Sequence, residues 1–326
     1  MKNLIMTIIL VLTSSCLKNQ NSYDNKQLVS FSKALTGSSK FFQNEKRVKH
    51  VLFIGIDGLG SHNLFPETSI KIPNAPNIKS LLNNSFYSLK AKIDTMNISG
   101  PNWYGILSST PSWIHGVLDN ECNKGNRIPT IFDYLNKIAI ESNFSINTSI
   151  ISDWDMLFCY PLNPSLIDDR IPTLNTDDTY INTITYLDSG IINLNDYSFT
   201  FIYFGNLDNN GHRFGGNSKE YNDELEKIDD KIGQIIQIFK DKGFYDNGAI
   251  FITSDHGHKT DNFGHSPSST YVPFIVQSKI LKPINIDLVE SNEKFEIRNN
   301  FLASFVSKIM GLDPFFHWHE QIPWLE

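Results

Sequence analysis

Five short apolar runs limit what this 326-residue chain can fold into. Val51-Leu-Phe-Ile-Gly-Ile56, Thr148–Ile151, Phe199–Phe204, Ala249–Thr253 and Pro273–Val276 are continuous rather than alternating. A strand that is apolar on both faces must be covered on both, as in a parallel sheet held between two helical layers. The segments between the runs can supply those layers. From Ser218 to Lys240, Tyr221, Leu225, Ile228, Ile232, Ile235 and Phe239 recur at three- and four-residue steps, with Gly243 as a helix stop. Further helices are expected over Thr130–Ile138 and Asn300–Met310. The expected fold is therefore a three-layer α/β/α sandwich with a mostly parallel central sheet. With neither an internal repeat nor a second linker, one domain over 46–326 is the simplest reading.

Composition removes other classes. The formal charge is −7, with 28 basic residues against 35 acidic and no clustered basic patch, which argues against nucleic-acid binding. A chain 19% charged and 12% aromatic is too apolar to stay disordered. Three Cys cannot staple a fold of this length. Residues 1–15 read as an export signal: Lys2, the apolar run Leu4–Leu12, then Ser14-Ser15. That run falls well short of the roughly 20 residues that span a bilayer. Leu12-Thr-Ser-Ser-Cys16 resembles a relaxed bacterial lipobox, which implies membrane attachment through an acylated Cys16. Residues 16–45 then form a polar tether, and the chain is expected in the periplasm or on the cell surface. Export also makes a Cys122–Cys159 disulfide available.

In such folds ligands bind beyond the carboxyl ends of the strands. Asp57 directly follows the first run, and Asp208 and His212 follow the third within a few residues. Asp255 and His256 follow the fourth, with His265 a short loop later. Alone, each Asp reads as a cap or turn residue and each His as a packed or surface residue. Together they form a mixed Asp/His donor set of the kind zinc takes, large enough for two ions. Ser99-Gly-Pro-Asn-Trp103 precedes a helix expected to begin at Pro101, so a hydroxyl sits where backbone N–H groups point outward. A neighbouring metal would make that hydroxyl a nucleophile. His258 reads as a bystander and His115-Gly116 as a turn beside this helix. His50, His62, His317 and His319 read as structural or surface residues.

At these residues the chain resembles the alkaline phosphatase superfamily, and most closely its type I phosphodiesterase/nucleotide pyrophosphatase family. The matching motifs are Ile54-Gly-Ile-Asp57-Gly58, Ser99-Gly-Pro-Asn102, His115-Gly116, Asp208-Asn-Asn-Gly-His212, Ser254-Asp-His-Gly257 and Gly264-His265, in family order. The resemblance implies two Zn²⁺ ions, one held by Asp57, Ser99, Asp255 and His256 and the other by Asp208, His212 and His265. It implies Ser99 as a nucleophile that becomes phosphorylated. Asn102 and the Gly100 N–H would bind a phosphoryl oxygen. The implied substrate is a small phosphoester, a diester before a monoester, with a phosphomonoesterase or a sulfatase as alternatives. Two departures stand out. Gly100 occupies the position of the aromatic that stacks on a nucleotide base, and Trp103 stands where the sulfatase motif requires Arg.

Overall fold

The apolar runs form the middle of an eight-stranded sheet. In the computed structural model the described residues are 47–65, 75–94, 96–122, 125, 128–142, 144–159, 164–259, 263–265, 271–289, 296–313, 315 and 318. The export signal, the tether, Cys16, His317 and His319 lie outside them.

The strands are β1 (His50–Ile56), β2 (Phe86–Lys92), β3 (Ile146–Ser152), β4 (Asp169–Pro172), β5 (Tyr197–Phe204), β6 (Gly248–Thr253), β7 (Tyr271–Ser278) and β8 (Ile284–Asn285). Their order is β4-β3-β5-β1-β6-β7-β2-β8. The pairings from β4 across to β6 are all parallel, as expected. β7 departs from the expectation, because it runs antiparallel to both β6 and β2. Pro273 helps explain how a proline fits there. The β2–β7 register slips between Ser88 and Ala91, opposite that proline, where no ladder donor is needed.

The continuous runs divide between two cores. On β1, Val51 and Phe53 enter one core, while Leu52, Ile54 and Ile56 enter the other. Both β1 neighbours repeat the split, with Phe199, Phe201 and Phe251 on the first side and Ile202, Phe204, Ile250 and Ile252 on the second. Helices α1 (Ser99–Ser108), α2 (Ile131–Ser142) and α6 (Leu302–Ile309) cover the first face, through Trp103, Leu107, Phe132, Leu135 and Phe305. Helices α3 (Thr176–Asp188) and α5 (Lys219–Asp241) cover the second, and the stripe from Tyr221 to Phe239 is buried along it. Gly243 follows α5 with φ +79°, a left-handed stop that glycine adopts without strain. Helix α4 (Asn206–Phe214) lies just beyond the end of β5.

Because β5, β1 and β6 are aligned, with Gly55 level with both Tyr203 and Thr253, their carboxyl ends form a single rim. Cys122 and Cys159 are joined as a disulfide, with Cα atoms 5.7 Å apart. No helix among the described residues is long and apolar enough to cross a membrane.

Candidate active site

The rim assembles the expected donors from distant parts of the chain. Asp57 is 1% exposed, and its backbone N–H continues the ladder to Phe204 O at 3.0 Å. Its Oδ1 faces Ser99 Oγ at 3.5 Å and His256 Nε2 at 3.6 Å. Ser99 Oγ also lies 3.2 Å from His256 Nε2. Helix α1 begins at Ser99 rather than at Pro101, so the serine is its first residue and the hydroxyl sits at the helix mouth. Asp255 and His256 are fully buried, and His256 Nε2 lies 3.1 Å from Asp255 Oδ2.

Asp208 lies on the first turn of α4 and gathers the remaining histidines. Its Oδ1 is 2.6 Å from His258 Nε2 and 3.1 Å from His265 Nε2, and its Oδ2 is 3.4 Å from His212 Nε2. Two of these rings are oriented from behind. His212 Nδ1–H donates to Phe263 O at 3.2 Å, and His265 Nδ1–H donates to Asn97 O at 2.7 Å. A carbonyl only accepts, so each ring carries its proton on Nδ1 and turns Nε2 towards the carboxylate. Zinc-binding histidines are usually held in this way.

Two groups of side chains could each hold a metal ion: Asp57, Asp208 and His256, and Asp208, His212, His258 and His265. Within each group one donor atom per residue lies within 4.8 Å of all the others. Asp208 belongs to both, whereas the sequence reading gave it to one. Asp255 falls outside both groups but touches His256.

The electrostatics fit a cation. Burial, followed by the charge on Asp208, pushes the Asp57 carboxyl up to about 7. Burial, then Asp57 and Asp208, pushes Asp255 well above the carboxylate range. Burial would also raise Asp208, but hydrogen bonds from His258 and His265 outweigh it and hold that carboxyl well below the usual range. Burial keeps His256 far below its ordinary value. Asp255 Oδ2, His256 Nδ1 and His258 Nδ1 are buried without a hydrogen-bond partner. Crowded carboxylates, neutral imidazoles and orphaned donor atoms are what a divalent ion would resolve. The residues present fit such an ion.

The proposed phosphoryl-oxygen donors are placed differently from the expectation. Gly100 N–H donates to Asn120 Oδ1 at 2.7 Å. Both amide hydrogens of Asn102 go to backbone carbonyls, of Met96 and of Ile98, and its Oδ1 accepts from Asp94 N–H. Asn102 therefore shapes the loop before α1, and Asn120 takes up the Gly100 N–H. A Cβ on Gly100 would come within 2.4 Å of Asp119 O, so residues 119–120 fill the space expected of an aromatic there.

Sequence reasoning missed three further residues. His258 is fully buried among the donors, not a bystander. Its ring fits because Gly211 has no Cβ, which would otherwise meet it at 2.4 Å. Trp103 Nε1–H and Tyr203 O–H both donate to Asp57 Oδ2. His115 does close the turn after α1, ahead of Gly116 at φ +69°, and burial pushes it down to about 4. His50 is buried against Ser198 Oγ, and His62 is half-buried with its ring on the His258 carbonyl.

Comparisons with known proteins bear on the family and the fold. Residues 123–268 match the model of the type I phosphodiesterase/nucleotide pyrophosphatase family. The resemblance to that family is borne out. The matched segment carries Asp208, His212, Asp255, His256 and His265, while Asp57 and Ser99 join them through the fold. Among curated proteins, GPI ethanolamine phosphate transferase 1 of Mus musculus is 37% identical over 102 residues, 29% of this chain and 11% of that protein. Ectonucleotide pyrophosphatase/phosphodiesterase family member 7 of Mus musculus is 36% identical over 67 residues, 21% of this chain and 15% of that protein. These matches thus span only a small part of the relatives' own length. Among solved structures, murine ectonucleotide pyrophosphatase/phosphodiesterase 5 in complex with AMP superposes with a TM-score of 0.62 at 13% identity. That superposition covers 83% of this chain and 96% of the other, so the two share the alkaline phosphatase-like fold.

Proposed function

We propose that this chain is an exported, two-zinc phosphoester hydrolase that prefers diesters and works through a phospho-Ser99 intermediate. The observation that carries this reading is the convergence of Ser99 Oγ, Asp57 Oδ1 and His256 Nε2 within 3.6 Å at the mouth of α1, beside the Asp208 cluster. Asp57, Ser99, Asp255 and His256 would hold one zinc, and Asp208, His212 and His265 the other. When bound, such a pair activates the attacking oxygen and stabilises the leaving one.

The chain's own residues do the rest. Helix α1 holds the Ser99 hydroxyl at its N-terminus, where the helix dipole favours an anionic group. Ser99 Oγ forms a bond to phosphorus, the ester P–O bond breaks, and the alcohol leaves with a proton. Water then splits the Ser99–phosphate bond, releasing the phosphorylated product and restoring the hydroxyl. The Gly100 N–H would receive a phosphoryl oxygen once Asn120 withdraws. A sulfatase reading lacks support at Trp103, where a buried indole contacts Asp57 in place of the Arg of that motif.

Export rests on the Met1–Ser15 pattern and is supported by the disulfide, which belongs to an oxidising compartment. Attachment through an acylated Cys16 is part of the same proposal.

The test is to assay bis-p-nitrophenyl phosphate, p-nitrophenyl phosphate and p-nitrophenyl sulfate side by side with zinc present. The diester should turn over fastest, and Ser99→Ala should abolish turnover while metal content is kept. Failure of both phosphate substrates would sink the reading.

A further inference from the structure

Asp57 is gripped by one oxygen and presented by the other. Its Oδ2 accepts two hydrogen bonds, from Trp103 Nε1–H at 2.9 Å and from the Tyr203 hydroxyl. Its Oδ1 is left facing Ser99 Oγ and His256 Nε2. We propose that Trp103 and Tyr203 are positioning residues that reserve Asp57 Oδ1 as the single oxygen offered to the metal ion beside Ser99. This deepens the two-zinc reading and rests on it.

The two donors are themselves locked in place. Trp103 is fully buried, with its ring edge-on to Tyr203 at 5.2 Å and near Phe201 at 5.7 Å. Tyr203 is stacked on Trp154 at 5.7 Å. Room for the indole comes from Gly55 on β1, where a Cβ would meet the Trp103 ring at 2.5 Å. The glycine two residues before Asp57 thus admits the ring that holds it.

Position along α1 adds a second constraint. Ser99 and Trp103 are four residues apart, hence on one face of the helix. A single rigid element carries both the nucleophile and the donor that orients the carboxylate facing it. An indole N–H can only donate, and two donors occupy the two lone pairs of Oδ2. A cation approaching from the Ser99 side therefore meets a fixed, one-oxygen ligand, which keeps a coordination position open for substrate.

The experiment is zinc titration by chelator competition on the full folded chain. The wild type should bind two equivalents. Tyr203→Phe and Trp103→Phe should each weaken one equivalent by about 10–100-fold and change the other by a clearly smaller factor. Zinc X-ray absorption on the loaded variants should show the carboxylate shifting towards two-oxygen binding. Tyr203→Phe removes a single oxygen and keeps the ring stack, so it remains informative if Trp103→Phe folds poorly. The proposal is overturned if Tyr203→Phe binds both equivalents as the wild type does, or if both equivalents weaken by the same factor. A wild-type chain that binds no zinc would instead overturn the two-zinc reading itself.

Discussion

At the scale of single residues, the site sets burial against charge. Asp57 is nearly without solvent, so its charged form is costly unless a cation is present. In the metal-free chain its carboxyl is pushed up to about 7, by burial first and by Asp208 second. Below about pH 4 Asp57 is protonated whether folded or not, and that part of the stability is fully present. Between about 4 and 7 the folded chain retains a proton that the unfolded chain has lost, so this contribution falls as pH rises. Asp57→Asn removes the effect. Chemical denaturation of the two metal-free proteins should show the variant gaining on the wild type as pH rises from about 4 to 7, then levelling off. A constant difference across that range would contradict the burial argument.

At the scale of elements, the mouth of α1 matters most. Asn120 accepts the Gly100 N–H, which under the proposed function would bind a phosphoryl oxygen, so a substrate bound that way would have to displace it. Removing that competitor with Asn120→Ala should tighten inhibition by inorganic phosphate several-fold, read as a lower inhibition constant at unchanged zinc content. Weaker inhibition would instead assign Asn120 to substrate binding.

The element scale also shows what was legible beforehand. The strands could be read because a continuous apolar run has one consistent placement in a sheet covered on both sides. The direction of β7 could not, since burial tells nothing about whether a strand runs parallel to its neighbour. The strand-end aspartates were visible for the same reason as the strands. His258 was not, because residues 254–259 follow no helical or strand period that assigns its side chain a face. Trp103 could have been found, since a spacing of four from Ser99 places it on the same side of α1. The packing of residues 119–120 against Gly100 could not be read, because they come from a loop with no sequence signature.

At the scale of the whole molecule, the Cys122–Cys159 disulfide joins the segment after the nucleophile helix to the segment after β3, around a recess lined by Gly100, Trp103, Glu121, Trp154 and Met156. Peptide mapping without reduction should recover the two cysteines as one linked pair. Replacing both with Ser should lower stability by about 2–4 kcal/mol in denaturant titrations. Recovery of two free thiols from exported protein would contradict the assignment.

Asp208 lies within reach of both groups of metal donors. If the two proposed ions share this carboxylate, they cannot load as strangers. The first to arrive would change the charge that Asp208 offers the second. By reciprocity, whatever factor the first applies to the affinity of the second is returned in full. Metal occupancy should then behave as a coupled pair, with the affinity of each site depending on whether the other is filled.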